Sequence, residues 1–157
     1  GDRVCVMPAS VDLPPLPDGV RVGVAEAPGS DDLPLAWSRA RLALRFARPR
    51  GRYGSVVRFE DLGAIATVAA AVPPGVAAGD PDVQRLRRAS DDYPWAVDTL
   101  EAVVATASMR QAAERLHVHH STLQERVAHL QVVLSYSPCS PTGRHRAAMT
   151  LLLDALV

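Results

Sequence analysis

Residues 108–134 read SMRQAAERLHVHHSTLQERVAHLQVVL, and this stretch decides the fold of the C-terminal half. Ser108 and Gln111 have the spacing of a capping box, so a helix is predicted to begin there. The apolar positions that follow are Ala112, Ala113 and Leu116. His117 then falls at a turn whose backbone is expected to take positive φ, a region that His tolerates better than most residues.

A second helix is predicted to begin at His119 or His120 and to reach Leu134. Its apolar residues lie four, three and four positions apart on one buried face, and they are Leu123, Val127, Leu130 and Leu134. Two helices joined by so short a turn form a helix-turn-helix, which places its second helix in the major groove of DNA. A helix pair that only packs within a protein module gives the same pattern and stays open as the alternative.

The buried face determines which side chains of this recognition helix, about His120–Leu134, point outward. The residues expected to contact base edges are His120, Ser121, Gln124 and Glu125. The residues expected to contact phosphates, and so to position the protein without reading the sequence, are Arg110, Arg115, Thr122 and Arg126.

The overall charge neither supports nor forbids DNA binding. The chain has 17 basic and 17 acidic residues, whereas a dedicated nucleic-acid binder is usually basic. From Pro94 onward five arginines face five acidic residues. Any attraction for DNA must therefore come from the local placement of the arginines.

Four of the five histidines lie between His117 and His129, which raises the alternative of a metal site. The candidate ligands would be His117, His119, His120 and His129. They would not converge on one face of the predicted helices, and no Cys lies nearby. We therefore expect solvated or phosphate-facing histidines, with no metal and no other cofactor.

Length and composition indicate a globular protein of one ordinary domain or two small ones. Cys5 and Cys139 are too few and too distant in sequence for a disulfide framework, which favours the reducing cytoplasm. No apolar run reaches the roughly 18 residues of a membrane span, so no membrane partner is expected.

In the N-terminal half, predicted strands and helices alternate, as in an α+β fold. Two short strands, 3–7 and 20–24, are predicted to be neighbours. A helix over 35–47, with Trp37 turned inward, a third strand over 55–59 and an Ala-rich helix over 62–72 follow. In the turn between the 35–47 helix and the 55–59 strand, the cluster of Arg48, Arg50, Arg52 and Tyr53 would suit an anion or nucleic acid, although a solvated basic turn is the simpler interpretation.

Three further helical segments complete the prediction. Residues 80–92 form a helical connector, and 95–107 form a helix that braces the helix-turn-helix. A last helix, capped at Ser140 with Pro141 in its first position, runs toward Val157. The predicted division is an α+β part over 1–75, a connector over 76–93 and an all-α helix-turn-helix domain over 94–157.

Residues 97–134 resemble the C-terminal helix-turn-helix of the PucR-like, or sugar-diacid-regulator-like, bacterial transcription regulators. The matching positions are Thr99, Leu100, Ala113, Leu116, His117, Val118, His119, Thr122, Leu123 and Arg126. The upstream segments GVRVGVAEA, LAWSRARLALRFA and VVRFEDLG are similar to the degenerate GGDEF-like domain of those proteins. The chain is expected to begin inside that domain and to be a fragment of a longer regulator.

The resemblance implies a cytoplasmic regulator that binds a double-stranded DNA operator as a homodimer or higher homo-oligomer, with a small-molecule effector bound outside this fragment. The family commonly has basic or amide residues where this chain has its candidate base contacts, so fewer phosphate contacts are expected here. A nucleotide-cyclase activity is not expected, because no Gly-Gly-Asp/Glu-Glu-Phe signature is present to bind metal and triphosphate. A ligand-sensing or dimerisation module that does not contact DNA remains the alternative function.

Overall fold

The structure is a computed structural model that describes residues 5–8, 13–48 and 52–157. Within these ranges the chain forms two short strands and eight α-helices. In chain order they are β1 (Val22–Val24), α1 (Leu33–Phe46), β2 (Val56–Arg58), α2 (Ala64–Ala71), α3 (Pro74–Gly79), α4 (Pro81–Asp92), α5 (Ala96–Ala105), α6 (Met109–Leu116), α7 (His120–Leu134) and α8 (Pro141–Asp154). None of the helices in this part of the chain has the length and apolar character that a membrane span needs.

The N-terminal part is a β–α–β unit with a two-stranded parallel sheet. β1 and β2 pair in parallel, with Val22 opposite Val56, and α1 connects them and packs on β1. Gly23 allows this close packing, because a Cβ at that position would overlap the backbone of Ala40 and Leu44. The sheet confirms an α+β arrangement here but does not establish a GGDEF-like fold.

Two predictions for this part are wrong. The expected neighbour of the 20–24 strand was the 3–7 strand, but residues 5–7 form no strand and β1 pairs with β2 instead. Residues 3 and 4 lie outside the described residues. Trp37 was expected to turn inward, but its side chain is exposed and the Arg41 guanidinium lies 5.8 Å from the centre of its ring.

The helical part contains two apolar clusters that share α5 and α7. One joins α4 to α5, α7 and α8, and its fully buried members include Leu86, Leu100, Leu130 and Leu134. The other joins α5 and α6 to the first half of α7 through Val103, Ala113, Leu116, Leu123 and Val127. α4, predicted as a connector, therefore buries an apolar face against the helix-turn-helix module.

α8 connects the two halves of the molecule. Leu152 of α8 and Leu156, just after the helix, belong to the apolar cluster of α1, β2 and α2, whereas Ala147 of α8 packs with α4, α5 and α7. Asp154, at the end of α8, accepts hydrogen bonds from Arg48 at 2.8 Å and from Arg87 at 2.9 Å. The N-terminal part is thereby attached to the helical part through both apolar contacts and ion pairs.

Candidate nucleic-acid interface

The first helix of the motif, α6, begins at Ser108, as the sequence predicts. The Ser108 hydroxyl accepts a hydrogen bond from the Gln111 backbone N–H at 3.3 Å. The Gln111 side chain in turn accepts from the backbone N–H of Ala107 at 3.1 Å, one residue before the position a capping box uses. Two N–H groups at the helix start are therefore satisfied locally, which fixes where α6 begins.

His117 forms the turn between α6 and α7 in the left-handed conformation, with φ 54° and ψ 41°. Its N–H donates to the Glu114 carbonyl and the N–H of Val118 donates to that of Ala113, both at 3.1 Å. These two bonds form a Schellman motif, which ends α6 after Leu116. The predicted positive φ is confirmed, and only His117, Val118 and His119 separate the two helices.

The second helix, α7, begins with a cap that the sequence alone did not predict. The imidazole Nδ1 of His119 accepts a hydrogen bond from the Ser121 backbone N–H at 3.4 Å and lies 2.8 Å from its hydroxyl. Because Nδ1 accepts from the backbone, we assign the ring proton to Nε2. His119 therefore serves to begin the helix.

The buried face of α7 consists of the four residues that the spacing predicts. Leu123, Val127, Leu130 and Leu134 are all buried, and Leu123, Leu130 and Leu134 are fully so. The candidate base contacts His120, Ser121, Gln124 and Glu125 are all exposed. The structure therefore brings these four side chains together on the outer face of the N-terminal half of α7.

The four candidate phosphate contacts differ in how far they are already engaged. Arg110 is exposed and pairs with Glu114 one turn along α6 at 3.0 Å. Arg115 is exposed near the end of α6, and Thr122 is half-buried in the first turn of α7. Surface pairs of the Arg110–Glu114 kind stabilise by only about 0.5 kcal/mol, so a phosphate can replace Glu114.

Arg126 is held against an aromatic group that sequence reasoning missed. Its guanidinium lies 5.2 Å from the centre of the Trp95 ring, within the range of a cation–π contact. Trp95 packs against Tyr93, and both rings contact the imidazole of His129, at 5.8 and 4.2 Å respectively. The Tyr93-Pro94-Trp95 tripeptide was the available signal, but its partners on α7 lie more than 30 residues away in sequence.

The same contacts separate the histidines. His129 lies within the aromatic group, whereas His119 caps α7 and His117 forms the turn. No group of three or more His, Cys, Asp or Glu side chains within residues 5–8, 13–48 and 52–157 is arranged to hold a metal ion.

The charges of this module are distributed unevenly between its interior and its surface. Glu101 of α5 and Asp154 of α8 are buried and pair with Arg48, from outside the module. Burial raises the pKa of Glu101 above its usual value, although Arg48 lowers it in part. Two of the five acidic side chains after Pro94 are thus withdrawn from the surface, which leaves the outer face less acidic than the sequence count implies.

Comparison with known protein families gives a match to the C-terminal helices. Residues 96–153, from the first residue of α5 to near the end of α8, match the family model of the PucR C-terminal helix-turn-helix domain. The matched segment is less than half of the chain, and it confirms a PucR-like helix-turn-helix there, a domain class typical of non-enzymatic DNA-binding transcription regulators. No curated protein and no solved structure matches the chain.

Proposed function

We propose that this protein regulates transcription by inserting the N-terminal half of α7 into the major groove of an operator. The exposed face formed by His120, Ser121, Gln124 and Glu125 carries this proposal, because it lies opposite the buried leucine face of the same helix. Side chains at the start of a recognition helix are those that reach base edges. Gln124 can bond adenine through two hydrogen bonds, and Glu125 can accept from the amino group of cytosine.

Phosphate contacts would come from both sides of this face. Arg110 and Arg115 on α6 and Thr122 at the start of α7 would contact one strand, as helix-turn-helix proteins use the helix before the turn. Arg126 would act from its place on Trp95, where stacking limits the orientations of its guanidinium. A pre-oriented arginine loses less side-chain entropy on binding a phosphate.

The proposed regulator is a cytoplasmic homodimer or higher homo-oligomer with two additional parts. Residues 1–75 would belong to a degenerate GGDEF-like domain, and residues 76–93 would form a connector to the DNA-binding domain over 94–157. The β1–α1–β2 unit is compatible with such a domain. The dimer would place two recognition helices about 34 Å apart, one turn of DNA, on a palindromic operator. A small-molecule effector would be sensed by regions outside the helix-turn-helix.

Two observations favour a second function, that of a ligand-sensing or dimerisation module without DNA contact. Glu125 is an exposed carboxylate at one edge of the proposed base-contacting face, and the chain has no net charge. A carboxylate facing phosphates opposes binding. The two functions differ in their response to salt.

The test is a mobility-shift titration with DNA from upstream of the protein's own gene, at several salt concentrations. The proposed function predicts an affinity that falls steeply with salt, and Arg126→Gln should lower the slope of log K against log salt by about one. Arg58→Gln is the matched control, because Arg58 is an exposed arginine on β2, outside the motif. Affinity that is independent of salt would contradict DNA binding and favour the second function.

A further inference from the structure

A cleft lined by arginines lies where the N-terminal part meets α4 and α8. Its volume is about 750 Å³, which is in the range of small-molecule sites. The charged side chains that line it are Arg21, Arg41, Arg45, Arg48, Arg87 and Asp154. Five positive charges thus face one negative charge, although the chain as a whole is neutral.

Four of the five arginines of this cleft fall into two groups, and the fifth, Arg41, lies against the Trp37 ring. Arg48 and Arg87 both donate to the buried carboxylate of Asp154, which neutralises part of their charge and fixes their positions. Arg21 and Arg45 make no ion pair with any residue of the described ranges and retain their bonding capacity. The cleft thus has two guanidinium groups that are paired with Asp154 and two that are in no ion pair within the described residues. Such a set suits an anion with several oxygen atoms, because each guanidinium can bond two oxygens at once.

The cleft is connected to the helix-turn-helix by Arg48. Its two terminal nitrogens lie 2.8 Å from Asp154 and 3.5 Å from Glu101 on α5. One carboxylate oxygen of Glu101 is buried without a hydrogen-bond partner, and the other pairs with Arg48. The Arg48 guanidinium is therefore the main group that offsets the cost of burying the Glu101 carboxylate. α5 also packs directly on α6 and α7 through Ala102 and Val103. An anion that bonds Arg48 in the cleft would therefore compete with Glu101 for its guanidinium, at the longer of its two ion pairs.

We propose that this cleft binds a small anion that carries two or more phosphate or carboxylate groups, and that this anion modulates DNA binding through Arg48 and Glu101. The bound anion would be held chiefly by Arg21 and Arg45, with Arg48 and Arg87 sharing their remaining N–H groups. The site is separate from the α7 face. Only the modulation rests on the proposed function.

Isothermal titration calorimetry of the whole chain without DNA tests the site, with inorganic pyrophosphate and citrate as probes and sodium chloride at matched ionic strength as the blank. Saturable binding of one anion per chain is expected for at least one probe, and the tighter probe distinguishes phosphate from carboxylate. Arg45→Gln and Arg21→Gln should each weaken binding at least about fivefold, since each removes a charge-assisted bond pair, whereas Arg58→Gln should change it less than about twofold. Absence of saturable binding by both probes, or equal binding by all variants, would overturn the proposal.

The modulation is tested by repeating the DNA titration with and without the tighter probe. A change in DNA affinity of about fivefold is expected for the wild-type protein beyond the salt blank, and it should disappear in Arg45→Gln. An equal change in both proteins would overturn the modulation. A loss of DNA affinity in Arg45→Gln without any probe, absent from Arg58→Gln, would place the cleft in the DNA interface and overturn the small-anion site. If the protein binds no DNA at all, calorimetry still decides the site.

Discussion

Replacing His117 by Gly should stabilise the protein, whereas the same replacement at His145 should destabilise it. His117 lies in the left-handed region with φ 54°, and its side chain is exposed, so Gly removes backbone strain without removing buried contacts. That strain is about 1–2 kcal/mol for an ordinary residue and nearer about 1 for His. His145 is also exposed but lies within α8, where Gly costs about 0.5 kcal/mol.

The comparison isolates the turn because both variants change the unfolded chain in the same way. Gly adds about 0.5–1 kcal/mol of unfolded-state entropy in each case. His117→Gly is therefore expected to gain up to about 0.5 kcal/mol, and its free energy of unfolding should exceed that of His145→Gly by about 0.5–1 kcal/mol. Urea unfolding followed by circular dichroism measures both values. If the two variants have equal stability, or if His117→Gly is the less stable, the turn does not have the geometry described.

Three further predictions concern stability. Leu123→Ala, which removes a fully buried side chain from α7, should cost about 3 kcal/mol, whereas Val132→Ala on the same helix, 78% exposed, should cost less than about 0.5; similar losses would contradict the assignment of the buried face. The hydrogen bond from Arg146 lowers the folded-state pKa of Asp82 below 3.8, so the stability that this pair contributes is present above pH 3.8 and is lost as pH falls through the lower folded value. Asp82→Asn should cost about 1 kcal/mol of unfolding free energy at pH 7 and nothing at low pH. A cost that does not change with pH would refute this. Burial raises the folded-state pKa of Glu101 above 4.5, so the stability that its protonated form contributes is lost as pH rises through the folded value. Glu101→Gln should therefore reduce the fall in the unfolding midpoint between about pH 4 and 8. A fall of the same size in both proteins would argue against this.

Local patterns in the sequence predicted the helix-turn-helix well. The start of α6, the positive φ of His117 and the buried face of α7 each depend on residues within a few positions of one another. The physical causes are a helix cap, a turn conformation and the helical period of apolar residues, and each depends only on residues close together in sequence. The outer face of α7 followed from the buried one by geometry, so the placement of Gln124 could be predicted too.

Contacts between distant residues could not be predicted in the same way. β1 pairs with a strand more than 30 residues later, and three-residue strands carry too little alternation to specify a partner. Arg48 meets Glu101 and Asp154 across 53 and 106 residues, and no periodicity indicates such pairs. Trp37 was assigned to the core by its apolar character, but stacking with Arg41 lets it remain on the surface.

The central claim is that the exposed N-terminal half of α7 reads bases, and selection of binding sites from a random DNA pool tests it most directly. Gln124 and Gln131 are both exposed on α7, seven residues and so about 10 Å apart along one face, but only Gln124 lies in the half that would enter the groove. Gln124→Ala should change the base preferred at one position of each half-site, and Gln131→Ala should leave the selected sequence unchanged. Identical selected sequences for the wild-type protein and Gln124→Ala, or an equal change in both variants, would contradict the account.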